Sequence, residues 1–321
     1  MTPMCSIVIR AYNEARHIGK LLKGIQQQTI KDVQVILVDS GSTDGTAEIA
    51  QKMGAEVVSI NPRDFTFGRS LNLGIEHARA DRIVIASAHV YPLYPDWLEV
   101  LLAPLEDQRT ALTYGKQRGN HSNHFSEHQV FRAWFPDDPR PVQKHPFCNN
   151  ANAAIQRRLW ELHPYDELIP ALEDLAWAKW AQEQGYRLTY VPEAEIIHVH
   201  QETWRGVFNR YRREGMAFRM IYPQETFGWL EMLKLFMQNV STDWQLASSQ
   251  KIWRQVAGQV VRFRWAQFNG TYRGYQTGLL TTQLRQAFYY PGTAVGAVDT
   301  PQRDVPLIHY EDADSGGRND S

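Results

Sequence analysis

Short apolar runs rich in β-branched residues alternate, along the N-terminal part of the chain, with segments whose apolar residues recur every three or four positions. Four such runs are residues 5–9, 35–38, 57–60 and 82–86. An apolar run of this length is typical of a strand buried on both faces. Strands that alternate with helices of about 10–15 residues predict βαβ units. The pattern therefore predicts an α/β fold with a mostly parallel sheet flanked by helices.

The pattern becomes irregular near the middle of the chain and helical near its end. Residues 116–146 are the least regular stretch, and the four prolines within 136–146 exclude a helix interior there. Two late strands are predicted at 189–191 and 194–197. From residue 202 onward, apolar residues recur at helical spacing.

These changes predict three parts. Residues 1–220 form the catalytic α/β domain, residues 221–291 form a helical C-terminal extension, and residues 292–321 form a polar tail that we expect to be disordered. The helices of the extension carry both aromatic and basic residues. We expect them to pack on the chain's own core, with contact to a membrane surface or to a second subunit as the alternatives.

The most informative segment follows the second apolar run. Asp39 lies at the carboxyl end of that predicted strand, where open parallel sheets bind their ligands. The small residues at 40–46 allow a bound molecule to approach the backbone closely. A carboxylate in this position accepts hydrogen bonds from ribose hydroxyls or a base, which predicts a nucleotide ligand. The alternative is structural, with Thr43 or Asp44 capping the following helix.

Six segments occur in an order that resembles family 2 glycosyltransferases of the GT-A fold, particularly the rhamnosyltransferase-like subgroup. The resemblance covers residues 4–220. The segments are residues 7–14, 38–46, 64–72, 147–152, 172–174 and 198–213. Together they are specific to the family, although not to a particular sugar.

The resemblance implies an inverting glycosyltransferase that moves a sugar from a nucleotide-diphosphate donor to an acceptor hydroxyl, in polysaccharide or other glycoconjugate synthesis. It implies a UDP, dTDP or GDP sugar as donor and a carbohydrate or glycolipid as acceptor. Asp174 takes the role of general base, with Glu173 beside it. The structural alternative for both carboxylates is a favourable position at a helix N-terminus.

Further residues are assigned to substrate contacts. Asn149, Asn150 and Asn152 are expected to bind sugar hydroxyls, because amides offer both donors and acceptors. Trp177 is a candidate acceptor platform, with core filling as its alternative. Arg212 and Arg213, within the basic run that also contains Arg210, are candidates for the diphosphate. The nucleotide-binding candidates are Arg10, Asn13, Glu14, Asp39, Ser42, Asp44, Arg69 and Asn72.

Related sequences carry an acidic metal-binding segment after the fourth strand, but here that position is occupied by His89. His198 and His200 follow a predicted strand two positions apart, and we expect only one of them, preferably His200, to face the site. Imidazole ligands favour Mn²⁺ over Mg²⁺. We therefore expect a divalent cation at His89, His200 and His198, with a direct contact between His89 and phosphate as the alternative.

Composition narrows the possibilities further. The chain has 321 residues and a formal net charge of −1, which gives no indication of nucleic-acid binding. Its two cysteines, Cys5 and Cys148, are expected to be buried and unpaired. The absence of a spanning run and of a basic N-terminal region predicts a cytoplasmic protein, with peripheral contact at the inner membrane face left open.

Two other functions remain as alternatives. One is a non-catalytic nucleotide- or carbohydrate-binding relative that lost its acidic metal motif, an interpretation prompted by His89. The other is a sugar nucleotidyltransferase, which requires a loop rich in glycine and basic residues after the first strand. Residues 10–14 read Arg-Ala-Tyr-Asn-Glu instead and disfavour that function.

Overall fold

The computed structural model of the protein describes residues 2–200, 202–277 and 305–310. In this part of the chain, eight strands form one mixed sheet in the order β3-β2-β1-β4-β7-β6-β8-β5. The strands are β1 (Cys5–Ala11), β2 (Val33–Asp39), β3 (Glu56–Ser59), β4 (Arg82–Ser87), β5 (Val90–Pro92), β6 (Thr110–Arg118), β7 (Asn152–Gln156) and β8 (Arg187–His198).

Helices cover both faces of this sheet, and three further helices follow it. They are α1 (Ala15–Gln26), α2 (Thr46–Lys52), α3 (Phe67–Glu76), α4 (Trp97–Leu102), α5 (Phe125–Trp134), α6 (Arg157–Leu162), α7 (Glu173–Glu183), α8 (Trp204–Ile221), α9 (Trp229–Ser249) and α10 (Trp253–Gln276). The predicted fold class, α/β with C-terminal helices, is confirmed.

The four strands β3, β2, β1 and β4 are all parallel, as the βαβ pattern predicts. The other half of the sheet is mixed, because β7 is antiparallel to both neighbours and β5 is antiparallel to β8. The predominance of parallel pairing therefore holds for the N-terminal half only. That half places the carboxyl ends of β1, β2 and β4 at one edge.

Alternation along β1 explains why the strand is apolar throughout. Ile7 and Ile9 pack with α1, α2 and α4 on one face of the sheet, whereas Val8 packs with α3 and α7 on the other. Successive side chains of a strand point to opposite faces, so both layers require apolar residues. Cys5 and Cys148 are buried and unpaired, as expected.

The irregular middle of the chain contains more structure than we predicted. Residues 116–146 include the end of β6 and the whole of α5. The prolines do exclude a helix, but only after residue 135. The two predicted late strands are one continuous strand, β8.

The helical extension is joined tightly to the rest of the protein. Helix α8, which lies within the predicted first domain, packs closely against α10 because glycines remove side chains from the contact. A Cβ at Gly274 would lie 2.2 Å from the backbone oxygen of Arg212, and one at Gly215 would lie 2.6 Å from that of Thr271. The boundary predicted at residue 220 therefore separates two helices that share one core.

Part of the predicted tail contacts the sheet. The backbone N–H of Ile308 donates to the carbonyl oxygen of Leu93 at 3.1 Å. The hydroxyl of Tyr310 donates to the carbonyl oxygen of Pro92 at 2.7 Å. Residues 305–310 thus contact the end of β5, and the expected disorder of the tail stays a prediction. The remainder of the tail lies outside the described residues. Among the helices described, none has the length and apolarity needed to cross a membrane.

Candidate active site

The candidate site lies at the carboxyl ends of β1, β2 and β4. Arg10 near the end of β1 is in register with Ser87 at the end of β4, and Ala11 is in register with Asp39 at the end of β2. Strand pairing therefore brings the polar residues that follow three apolar runs to one edge. This edge is where an open α/β sheet binds its ligand.

Asp39 holds the turn that follows β2 and keeps one oxygen available. Its Oδ2 accepts hydrogen bonds from the backbone N–H groups of Gly41 and Ser42, both at 3.1 Å. Gly41 has φ of 91°, a conformation that favours glycine. Oδ1 is buried, and no group in the described part of the chain donates to it. A buried carboxylate oxygen without a donor is a natural acceptor for a ligand hydroxyl or N–H.

Asn13 and Asp44 tie the β1 and β2 loops together. The side-chain oxygen of Asn13 accepts from the Thr43 N–H at 2.9 Å, and the backbone N–H of Asn13 donates to the Ser42 hydroxyl at 2.8 Å. Asp44 accepts from the N–H groups of Ala15 and Thr46. Oδ2 of Asp44 thus bonds to the start of α1 and Oδ1 to the start of α2, and the predicted nucleotide contact of this residue stays a prediction.

Glu173 and Asp174 begin α7 after Leu172, which has a φ of 56°. Asp174 accepts from the N–H groups of Asn150 at 3.0 Å and of Leu175 at 2.8 Å. Burial and the neighbouring charge of Glu173 raise the pKa of Asp174 to about 7. An aspartate with this pKa is a far better proton acceptor at neutral pH than an ordinary one.

Arg10 connects the strand-end loops to this carboxylate pair. Its Nη1 donates to Glu173 Oε1 at 2.8 Å and to the backbone oxygen of Phe67 at 3.2 Å. The Arg10 guanidinium lies over the Phe67 ring at 4.7 Å, and that of Arg213 lies over the same ring at 4.8 Å. Two cations therefore converge beside the candidate base. Glu173 is engaged in an ion pair, which assigns it to holding Arg10.

The remaining arginines of the basic run point elsewhere. Arg212 donates to the hydroxyl of Thr277 at 3.0 Å, beside the end of α10. Arg210 is partly buried and donates to Glu202 at 2.8 Å and to Glu127 at 2.7 Å. A helix turns about 100° per residue, so Arg212 and Arg213 cannot share one face. Arg212 is therefore directed toward the end of α10, whereas Arg213 lies beside Phe67 and Arg10.

The three predicted histidines form one cluster. One ring nitrogen from each of His89, His198 and His200 lies within 4.8 Å of the others. His89 Nδ1 is 2.7 Å from Glu14 Oε1, which explains why Glu14 belongs to this site. Three imidazole nitrogens at this separation fit a single divalent cation, and nitrogen ligands suit Mn²⁺ or Zn²⁺ better than Mg²⁺.

The expectation that only one of His198 and His200 faces the site is wrong. Side chains along a strand alternate with a period of two, so positions i and i+2 share a face. The two rings lie 4.1 Å apart between centroids. Our expectation treated residues two positions apart as if they pointed to opposite faces, which is true only of adjacent residues.

Three other predicted site residues, Asn72, Asn152 and Trp177, form hydrogen bonds with other parts of the protein. The amide of Asn72 donates to Tyr165 O and Glu167 Oε1, and its oxygen accepts from Trp160 and Tyr165. The Asn152 amide donates to two backbone oxygens, and its oxygen accepts from the indole of Trp97. Trp177 is 1% exposed and donates to His163 O.

The other assigned residues keep their predictions. Asn149 and Asn150 lie in the segment that leads to β7, and the N–H of Asn150 contacts Asp174. The side chain of Arg69 is about half exposed at the start of α3, with Glu167 as a loose partner at 3.9 Å.

Three further residues contact the predicted site residues and were not predicted from the sequence: Phe67, Gln117 and Glu127. Phe67 could have been predicted, because it lies within residues 64–72, one of the segments that resemble the family. Gln117 Oε1 lies 2.8 Å from His198 Nδ1, and Glu127 Oε1 lies 2.7 Å from His200 Nδ1. Their positions on β6 and α5 give no sequence signal that connects them to distant histidines.

The mixed α/β sheet with flanking and C-terminal helices has the GT-A fold. Two solved structures share this fold. The mannosyltransferase PcManGT from Pyrobaculum calidifontis, in complex with GDP-Man and Mn²⁺, matches with a TM-score of 0.57 and 17% identity over 85% of this chain and 86% of that one. TarS from S. aureus, in complex with UDP, matches with a TM-score of 0.50 and 14% identity over 94% of this chain and 98% of that one.

Residues 6–162 match the model of "Glycosyl transferase family 2", so this part of the chain is a family 2 glycosyltransferase domain. It is similar to the O-antigen chain rhamnosyltransferase WbaN of Salmonella anatum, with 27% identity over 240 residues. That alignment covers 70% of this chain and 76% of the relative.

Proposed function

We propose that this protein is an inverting glycosyltransferase that binds the nucleoside of its donor at Asp39 and uses Asp174 as general base. The observation that carries the proposal is the ion pair between Arg10 and Glu173. It joins the strand-end edge of β1 and β2 to the start of α7. The nucleoside end of a donor and the base for an acceptor then belong to one cleft.

In the proposed reaction, an acceptor hydroxyl attacks C1 of the sugar as its proton passes to Asp174. The new bond joins the acceptor oxygen to C1, the bond from C1 to the diphosphate oxygen breaks, and the nucleoside diphosphate leaves. Attack opposite the leaving group inverts the configuration at C1. Arg213 and Arg10 are placed to balance the charge of the leaving group.

His89, His198 and His200 are the residues that would hold a divalent cation, and their nitrogen ligands favour Mn²⁺ over Mg²⁺. When bound, such an ion supplies positive charge to the diphosphate. Asn149 and Asn150 are proposed contacts for sugar hydroxyls. The similarity to a rhamnosyltransferase favours a deoxyhexose donor and a polysaccharide or glycolipid acceptor.

A nucleoside diphosphate panel tests this function. UDP, dTDP, GDP and ADP are added to the protein, with and without Mn²⁺, and the melting temperature is measured. We expect one of the first three to raise it by several degrees, because a ligand present at about 100 times its Kd stabilises the native state by about 2.7 kcal/mol. If none of the four raises the melting temperature, the proposed function is wrong.

Arg212 and Arg213 supply a matched pair for the same assay. Arg213→Gln should weaken binding of the diphosphate but not of the free nucleoside, because only the diphosphate meets the guanidinium beside Phe67. Arg212→Gln should leave both affinities unchanged, since that side chain contacts Thr277.

We further propose that the C-terminal helices contact a membrane surface. Apolar residues on α9 and α10 are exposed, among them Leu230 at 68% and Met237 at 62%. Exposed cations stand on and between the same two helices, at Lys234, Lys251, Arg254 and Arg262. Aromatic and basic residues on one element are typical of binding at the interface of an anionic bilayer.

Cosedimentation with vesicles containing about one third anionic lipid measures this contact. We expect binding that falls as salt increases and that weakens when Leu230 and Met237 are both replaced by serine. The control is Leu162→Ser with Leu168→Ser, which alters two exposed leucines on the catalytic part. A dimer in sedimentation equilibrium, without vesicle binding, would favour the second-subunit alternative.

A further inference from the structure

The histidine cluster contains a close contact between two ring nitrogens. His198 Nε2 and His200 Nε2 lie 3.0 Å apart. The other nitrogen of each ring faces an acceptor, since His198 Nδ1 is 2.8 Å from Gln117 Oε1 and His200 Nδ1 is 2.7 Å from Glu127 Oε1. A carboxylate accepts hydrogen bonds only, so His200 Nδ1 carries the hydrogen, and with the Gln117 oxygen facing the ring His198 Nδ1 carries it as well.

This tautomer leaves lone pairs on both Nε2 atoms. Two lone pairs that face one another at hydrogen-bond distance repel, unless a cation lies between them. Two nitrogens that bind one metal ion at about 2.1 Å each, with an angle of about 90–110°, are themselves about 3.0–3.4 Å apart. The separation of the two Nε2 atoms is therefore that of two ligands of one ion.

The charges around the cluster favour a divalent ion over a single proton. Glu14 contacts His89, Glu127 contacts His200, and Glu202 lies within 4.8 Å of His200. Arg210 is the cation that contacts two of these carboxylates. The carboxylates that contact the cluster therefore outnumber the guanidinium that contacts them, which favours a cation at the three imidazoles.

We propose that His89, His198 and His200 form a three-imidazole centre that prefers Zn²⁺ or Co²⁺ to Mn²⁺ and largely excludes Mg²⁺, and that Gln117 and Glu127 orient two of the rings. Borderline metals bind imidazole nitrogen more strongly than Mg²⁺, which prefers oxygen. An acceptor on the Nδ1–H fixes the ring and increases the basicity of Nε2. This inference extends the proposed function at the same site, but metal binding requires neither a donor nor an acceptor.

Cobalt binding to untagged, chelator-treated protein tests the proposal. We expect one equivalent of Co²⁺ to give visible absorption bands of nitrogen coordination. One equivalent of Zn²⁺ should remove these bands, whereas a thousandfold excess of Mg²⁺ should leave them. Displacement of Co²⁺ by Mg²⁺, or the lack of a one-to-one complex, would overturn the three-imidazole centre.

Variants identify the ligands and the orienting residues. His198→Ala should abolish the bands, and Gln117→Met should lower Co²⁺ affinity about 10–100-fold while keeping one equivalent bound. His77→Gln is the control, because His77 is an exposed histidine directly after α3 and outside the cluster. Unchanged affinity in Gln117→Met would contradict the orienting role, and its melting temperature shows whether the variant is folded.

The two proposals fail separately. One-to-one Co²⁺ binding without stabilisation by any nucleoside diphosphate would leave the metal centre intact and remove the transferase mechanism. Stabilisation by a nucleoside diphosphate without Co²⁺ binding would do the reverse.

Discussion

Asp174→Asn should lower the rate of sugar transfer on the order of 10³-fold, with little change in the affinity for the nucleoside diphosphate. The carboxylate is held by the N–H groups of Asn150 and Leu175, so it needs little reorganisation when an acceptor arrives. Loss of a positioned general base typically costs about 10²–10⁴ in rate. The measurement is the single-turnover rate with saturating donor and acceptor.

The pH dependence of the wild-type rate provides a second readout of the same residue. Burial and Glu173 raise the pKa of Asp174 to about 7, and only the ionised form accepts a proton. The rate should therefore increase with pH below about 7 and become level above it, and Asp174→Asn should lack this dependence. Glu183→Gln, which alters the exposed opposite end of α7, should retain it. A wild-type rate that stays constant from pH 5 to pH 8 would contradict the assignment of the base.

The raised pKa also predicts how Asp174 affects stability. Because the pKa is higher in the folded than in the unfolded state, the folded protein binds this proton more strongly between pH 4 and pH 7. The contribution of this carboxyl is therefore most favourable at low pH and is lost as the pH rises through 7. A base that is poised for neutral pH destabilises the fold there, as active-site residues often do.

The strand-end half of the site could be predicted because its signals are local. Asp39 follows an apolar run directly, and parallel pairing brings its strand beside β1 without any knowledge of distant contacts. The same holds for Glu173 and Asp174, which begin a helix. In each case the element that positions the residue is adjacent in sequence.

The sequence identifies a site less well where one kind of side chain serves two purposes. The amides of Asn72 and Asn152 suit sugar hydroxyls, but they suit buried protein groups equally well, and here backbone and side-chain groups of the protein bond to both ends of each amide. Arg212 and Arg213 are adjacent in sequence, and only the rotation of α8 separates their roles. Composition and spacing do not indicate which group a polar side chain contacts when that group is about 40 to 90 residues away in the sequence.

Asp39→Asn should weaken binding of the nucleoside part of the donor about 30-fold, which corresponds to about 2 kcal/mol for the loss of a hydrogen bond to a charged group. The buried Oδ1 atom has no donor in the described part of the chain. Asparagine keeps an oxygen for the N–H groups of Gly41 and Ser42, so the turn is retained. It presents an NH₂ group where the ligand met an acceptor.

Titration calorimetry with the free nucleoside and with its diphosphate separates this effect from charge. If Asp39 binds the nucleoside, Asp39→Asn lowers the affinity for both ligands by the same factor, because the contact with Asp39 does not involve phosphate in either ligand. Asp32→Asn is the control, since Asp32 is exposed and precedes the opposite end of β2. A loss confined to the diphosphate would place Asp39 at the leaving group instead, and an unchanged affinity for both would remove it from the site. The outcome matters beyond one residue. The position of the carboxyl end of β2 follows from the local sequence pattern, and the Oδ1 atom of Asp39 there has no hydrogen-bond partner in the described part of the chain.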